Sequence, residues 1–306
     1  MNPAVATVVV TYNRRALLLE CLAALFAQSR RPDLILIIDN ASTDDTHKCL
    51  HSEGVLSRAD VRYWRLAENL GGAGGFHHGL RQAMRSGADL IWLMDDDAAP
   101  QADALQVLLQ AASSAGDIYG SVAVAGAKLC WPMTIQGDPA QRITEIAELP
   151  PLCEVEFLPF LGFLIHRSVV ERIGLPDAGY FIAADDCEYS LRARRTGHKT
   201  ILVAGSRIRH PSPSTYPLRV PGRILTCLRL VPWKRYYDTR NRMLLAKSYY
   251  GVRLWTQTLP SLFARLCGAL LHESDKVAQV WAFAAGLCDG FLGRKGRRHE
   301  RWGIKT

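Results

Sequence analysis

Asp89-Leu90-Ile91-Trp92-Leu93-Met94-Asp95-Asp96-Asp97 is the stretch that decides the fold. An apolar run of this length reads as a buried strand, and it ends without transition in three carboxylates. At a sheet edge, three like charges are costly unless a cation offsets them. Hard divalent ions take oxygen ligands, and alternate residues of an extended segment point the same way, so Asp95 and Asp97 are the better joint ligands. The alternative is a solvated acidic turn.

The same strand-then-polar-loop unit recurs on the N-terminal side. Ala4–Val10 is a β-branched strand ending at Thr11-Tyr12-Asn13, and the Ala- and Leu-rich segment Arg14–Ser29 reads as a buried helix. Leu34–Ile38 is a second strand, followed by Asp39-Asn40-Ala41-Ser42-Thr43-Asp44-Asp45, where Ser42 or Thr43 is suited to cap the next helix. Val61–Leu66 alternates as a strand and gives way to Asn69-Leu70-Gly71-Gly72-Ala73-Gly74-Gly75 and a helix to Arg85. Repeated units of this kind predict an α/β fold with a mostly parallel sheet and helices on both faces. Ligand loops then gather at the carboxyl ends of the strands, where Thr11–Arg14, Asp39–Asp45, Asn69–Gly75 and Asp95–Asp97 all fall.

Three further segments suggest chemistry. The four glycines of 69–75 permit close backbone approach, and the following helix N-terminus favours phosphate; a plain tight turn explains them equally well. Asp185-Asp186 opens a helix continuing to Arg195, either as its cap or as a base held ionised at neutral pH. His210 follows a strand at Thr200–Ala204 and is either structural or a nitrogen ligand beside the acidic site; imidazole with carboxylates suits manganese better than calcium.

Charge divides the chain. Residues 207–306 hold 19 Lys and Arg against 5 Asp and Glu, a balance of +14, while residues 1–206 sum to −6. From about Leu218 the pattern changes to successive helices, Tyr236–Tyr250, Trp255–Leu271 and Lys276–Asp289. We therefore expect one domain over 1–217 and a basic helical region over 218–306. No apolar run reaches the roughly 18 residues needed to span a membrane. The tail is read either as a membrane-surface element or as helices covering the sheet with solvated charges; Trp233, Tyr236 and Tyr237 read at least as easily as helix-packing residues as base-stacking ones, and nucleic acid is not expected as a partner. The eight cysteines include no CxxC pair, and Met1-Asn2-Pro3-Ala4 has no charged region before an apolar run. Neither a zinc ribbon nor secretion is expected, and a cytoplasmic chain is predicted.

Thr11-Tyr12-Asn13-Arg14, Asp39-Asn40-Ala41-Ser42-Thr43-Asp44, the aspartate triplet and Asp185-Asp186, in that order, resemble the inverting family-2 glycosyltransferases of the GT-A fold. Asn69-Leu70-Gly71-Gly72-Ala73-Gly74-Gly75-Phe76 is similar, more narrowly, to bacterial galactofuranosyltransferases and related rhamnosyltransferases. The resemblance implies that Thr11 and Arg14 hold the nucleotide and Asp39 meets the uracil. It places Asn69, Gly72, Gly74, Gly75 and Asp96 near the donor, with Asp95, Asp97 and His210 on Mn2+ or Mg2+ and Asp186, beside Asp185, as the base. It implies transfer from UDP-galactofuranose, or alternatively dTDP-rhamnose, to a glycan or lipid-linked glycan of bacterial cell-surface polysaccharide, at the inner face of the membrane. Ala184 departs from the aromatic that galactan-polymerising relatives tend to carry. A nucleotidyltransferase would need a basic glycine-rich loop near the N-terminus, which Thr11–Arg14 is not. A non-catalytic membrane scaffold is the rival of another class, and the retained acidic motifs weigh against it.

Overall fold

The computed structural model describes residues 3–126, 128–137, 141–220 and 223–306. The chain divides into two units, one of residues 1–178 and 186–212, the other of residues 179–185 and 213–306.

The first unit is built on one sheet. Its strands are β1 (Val5–Thr11), β2 (Leu34–Asp39), β3 (Val61–Arg65), β4 (Leu90–Asp95), β5 (Ala99–Pro100), β6 (Ile118–Ala125), β7 (Lys128–Ile135), β8 (Gln141–Glu145), β9 (Leu152–Glu154), β10 (Leu161–His166) and β11 (Thr200–Arg209). The main order is β3-β2-β1-β4-β10-β6-β11-β5, with β7, β8 and β9 attached at β6 and β11. β3, β2, β1 and β4 run parallel, as do β6 and β11, but β10 enters antiparallel between β4 and β6. The sheet is thus mixed in its second half.

Period-two alternation separates the two faces. Ala6, Val8 and Val10 of β1, with Ile91 and Leu93 of β4, join one core; Val5 and Val9, with Trp92 and Met94, join the other. Helix α1 (Arg15–Phe26) buries Leu18, Cys21, Leu22 and Leu25 on the second face. Helix α2 (Thr46–Ser52) follows β2, and α3 (Gly71–Arg85) lays Phe76, Leu80 and Ala83 on the first face. Helix α4 (Ala104–Ala111) joins α1; α5 (Arg167–Ile173) and the Tyr189 and Ala193 side of α6 (Asp185–Arg195) join α3. Neither Ser42 nor Thr43 caps α2, because both are engaged across the loops: the Asn13 amide donates to Ser42 Oγ at 2.9 Å and the Thr43 amide to Asn13 Oδ1 at 2.7 Å. Asp45, left-handed at φ 61°, starts that helix instead.

The second unit opens with an antiparallel hairpin, β12 (Thr215–Val220) and β13 (Arg223–Leu228), where the sequence led us to expect the onset of helices. The 217/218 boundary falls inside β12. Helices α7 (Pro232–Leu245), α8 (Leu259–His272) and α9 (Lys276–Phe291) follow, with π-helical turns at Ala246–Tyr250 and Leu254–Thr258. α7 and α9 touch closely because Gly286 and Gly290 leave no side chain between them: a Cβ at Gly286 would stand 2.5 Å from the Tyr236 carbonyl oxygen. Tyr236 and Tyr237 are fully buried in this contact, as their packing role requires. Among the described residues no helix is long and apolar enough to cross a membrane.

Candidate active site

β1 lies between β2 and β4, so the strand order reverses beside it, and its carboxyl end borders a crevice of the kind that takes ligands in open α/β sheets. Register aligns Thr11 with Asp39 and Val10 with Asp95. Buried Thr11 Oγ1 donates to Asp96 Oδ2 at 2.7 Å, and Arg14 reaches over both carboxylates, 3.3 Å from Asp96 Oδ1 and 2.8 Å from Asp97 Oδ2. Burial pushes the Asp96 carboxyl up to about 6, against the opposing effect of Thr11 and Arg14. Burial works the same way on Asp97, but His210 in its protonated form and Arg14 outweigh burial and hold it below its ordinary value.

β11 pairs with β5, which sets His210, just beyond β11, against Asp97. Its Nε2 lies 3.3 Å from Asp97 Oδ1, a buried oxygen with no hydrogen-bond partner. His210 Nδ1 is 2.7 Å from the Pro211 carbonyl, which only accepts, so Nδ1 carries the proton. In the neutral ring Nε2 then turns its lone pair on the orphaned carboxylate oxygen. Two acceptors facing one another are placed to be bridged by a cation, and carboxylate with imidazole is a donor set that suits manganese better than calcium. Trp131 holds the ring from one side, its centroid 5.0 Å away, and a cavity of about 120 Å³ opens beside Asp97, His210, Glu20 and Cys21. Asp95 ends β4 half-buried and contributes its charge to the field at Arg14. Among the described residues no three His, Cys, Asp or Glu side chains are gathered into a metal cage.

The neighbouring strand ends are more self-satisfied. Asp39 is buried; its Oδ1 accepts from the Ser42 amide at 2.8 Å and its Oδ2 from the Tyr63 hydroxyl, with Arg65 4.0 Å away. Asn69 Oδ1 accepts from the Gly71 amide at 2.8 Å, and the glycines fall inside the first turns of α3 rather than ahead of them. Gly75 is a packing position: a Cβ there would meet Val10 Cγ1 at 2.4 Å, and one at Gly74 would meet Leu70 Cβ at 2.4 Å. Gly72 has open space around it. Asn40, whose Nδ2 donates to the Gly71 carbonyl at 3.2 Å, keeps a buried Oδ1 with no partner.

Asp185 and Asp186 form the first turn of α6. The half-buried Asp186 accepts from the Cys187 amide at 2.7 Å, and burial raises its carboxyl above the ordinary value. The residues before it are strained: Phe181, Ala183 and Ala184 are left-handed, at φ 64°, 70° and 63°. Two α7 residues that sequence reading missed hold that run. Asn241 Nδ2 donates to the carbonyls of Tyr180, Ile182 and Ala183 at 2.8–3.0 Å, and Arg240 donates to those of Gly179 and Tyr180. The signal available was Arg240-Asn241 following two tyrosines inside a helix, a polar pair on what proves to be the buried side.

A mostly parallel α/β sheet with carboxylates, an arginine and a histidine gathered at its strand ends has the architecture of the GT-A fold. Solved structures of that fold superpose on it. GalNAc-T7 with UDP, GalNAc and Mn2+ matches at a TM-score of 0.60 and 13% identity, over 99% of this chain and 58% of that one. The mannosyltransferase PcManGT from Pyrobaculum calidifontis, with GDP-Man and Mn2+, matches at 0.58 and 16%, over 100% and 89%. The chain belongs to the family described as glycosyltransferase like family 2, whose model matches residues 3–223. Galactofuranosyltransferase GlfT1 of Mycolicibacterium smegmatis is 31% identical over 250 residues, 78% of this chain and 81% of the relative. Galactofuranosyltransferase GlfT2 of the same organism is 26% identical, over 80% of this chain and 41% of its own length. The chain is a glycosyltransferase, and its resemblance to galactofuranosyltransferases is borne out.

Proposed function

We propose that this glycosyltransferase moves galactofuranose from UDP-galactofuranose, with inversion, to a glycan or lipid-linked glycan of the bacterial cell surface, working on the cytoplasmic side against an anionic membrane. The observation that carries the reading is the orphaned Asp97 oxygen opposite His210 Nε2, at the crevice beside β1, in a chain whose relatives of similar length are galactofuranosyltransferases. Thr11 and Arg14 fix Asp96 and Asp97 in place, and Asp95 adds charge. Asp97 and His210, with Asp95, would hold Mn2+ or Mg2+, which supplies Lewis-acid stabilisation of charge on a departing diphosphate. The α3 N-terminus, with Asn69 and Gly72, lies where backbone amides favour phosphate.

In the displacement, the acceptor oxygen bonds the anomeric carbon as the bond from that carbon to the diphosphate breaks. Asp186 takes the hydroxyl proton, a contribution of roughly 100- to 10,000-fold for a general base. Its raised carboxyl makes it a stronger proton acceptor once ionised. Product mass from a panel of nucleotide sugars, with and without manganese, tests the reading. Transfer from UDP-galactofuranose is expected, and transfer from dTDP-rhamnose alone would move the donor assignment. Failure to bind or hydrolyse any donor would remove it.

A further inference from the structure

α9 is apolar on its outer side as well as its inner one. Its inward side carries Gln279, Phe283, Asp289 and four small residues, whereas Val277, Trp281, Ala284, Cys288 and Phe291, spaced four-three-four-three, form its outer stripe. Val277 is 85% and Trp281 50% exposed. α8 repeats the arrangement: its outer positions are Pro260, Phe263, Cys267 and Leu271, the last 72% exposed. Its one charged residue, Arg265, is instead turned toward the Thr226 carbonyl of the hairpin. Phe263 packs on α9 through the buried Phe283, at 5.2 Å between centroids, and Trp255 of the second π-turn meets Phe291 of the outer stripe at 6.0 Å, so α8 and the turn both lie against α9. A helix that faces solvent normally presents polar residues there; an apolar outer stripe of this extent marks a surface that something apolar covers.

Charge identifies the cover. Among the described residues of 213–306, ten Lys and Arg are exposed against two exposed acids, Asp275 and Glu300. Lys247 donates to the Phe291 carbonyl at 2.6 Å, and Arg253 is exposed two residues before Trp255. A second copy docked on the same face by a two-fold axis would bring basic rim against basic rim. Helices of 14 and 16 residues extend about 21 and 24 Å, short of a hydrocarbon core of about 30 Å, so they lie in an interface rather than span it. We propose that the outer stripes of α8 and α9, with Trp255, form a docking face for an anionic lipid surface, apolar side chains in the headgroup–acyl boundary and basic residues among the headgroups. The inference rests on the membrane part of the function proposed above and gives it a location.

Sedimentation of the full chain with vesicles tests it, without donor or acceptor. Binding is expected to phosphatidylcholine vesicles containing phosphatidylglycerol, to be weaker without phosphatidylglycerol, and to fall with salt. Leu271→Ser with Val277→Ser, both at exposed positions, should weaken it about tenfold through lost apolar burial. Arg253→Gln and Arg301→Gln should each weaken it about fivefold. Brominated phosphatidylcholine should quench tryptophan emission, less so in Trp255→Phe with Trp281→Phe. Indifference to both vesicle types, or binding unchanged in the serine pair, would overturn the proposal. So would a dimer, seen by light scattering, that the serine pair dissolves while vesicles bind nothing. Transfer to a water-soluble acceptor is measured separately: its survival beside failed vesicle binding removes only the docking face, and its loss beside intact binding removes only the donor chemistry.

Discussion

Asp97 and Asp289 are both carboxylates among arginines, yet their surroundings differ in one respect. Asp289, fully buried between α7 and α9, accepts from Tyr236 at 2.6 Å, from Trp302 and Arg298 at 3.0 Å, and lies 3.4 Å from Arg294. Its oxygens are saturated by donors fixed in the fold. Asp97 has one oxygen bound by Arg14 and the other buried without a partner. The fold leaves an acceptor oxygen of Asp97 unmet, a cost of about 1–3 kcal/mol, whereas both oxygens of Asp289 are met. A saturated carboxylate has no lone pair to spare for a ligand; the unmet oxygen of Asp97 has one.

Substitution should separate them sharply. Asp97→Ala is expected to reduce transfer by more than about a thousandfold, because the several kcal/mol a cation contributes to leaving-group stabilisation would be lost, with little change in melting temperature. Turnover assays with manganese beside thermal unfolding give both readings, and full activity would end the distinction. Asp186→Asn should lower kcat roughly 100- to 10,000-fold while donor affinity stays, since the amide cannot take a proton. If Asp185→Asn is the inactive variant instead, the roles within that pair are reversed. Asp289→Ala should act in the opposite sense, costing about 3–5 kcal/mol by stranding Arg298 and the Tyr236 and Trp302 donors. Denaturant unfolding reads it directly.

The pH dependences should also diverge. The Asp186 carboxyl is raised, so turnover should decline as pH falls from neutral toward the ordinary carboxylate range, while protonation there relieves a burial cost and does not destabilise the fold. Asp289 is lowered: burial opposes ionisation, but Tyr236, Trp302 and Arg298 prevail. Its stabilisation is complete above about 3.9, the ordinary aspartate value, and is lost only as pH falls through the lower folded value. A kcat profile sloping where the melting temperature is flat is the expected outcome. Gly72→Ala is the smallest perturbation. With open space for a methyl, it should leave stability unchanged or raise it by up to about 1 kcal/mol through helix propensity. A raised donor KM in that variant would show that a substrate lies against this turn.

The strand ends were legible because short apolar runs ending in polar clusters are local signals, and Thr11, Arg14, Asp96, Asp97 and His210 do converge. The antiparallel entry of β10 between β4 and β6 was not, because Leu161–His166 is as apolar as a parallel strand and its direction depends on distant pairing. Nor was the hairpin at Thr215–Leu228 legible, where Pro217, Arg219 and Arg229 disguise a strand pair packed through Tyr216, Leu218 and Cys227. One glycine of the run, Gly75, serves helix–strand packing, a role that its contact with Val10 reveals. Arg240 and Asn241 look like surface residues until their acceptors, the carbonyls of a left-handed run, are known.

That run, Phe181 to Ala184, has an implication for laboratory evolution. Each alanine held left-handed costs about 1–2 kcal/mol, a strain glycine does not carry. A selection for heat resistance alone would be drawn to Ala183→Gly and Ala184→Gly, and would return chains that survive boiling better while the start of α6 wanders. A selection for turnover would discard the same substitutions. The two regimes would pull one tetrapeptide in opposite directions, which makes it the place to watch when this transferase is bred for use outside the cell.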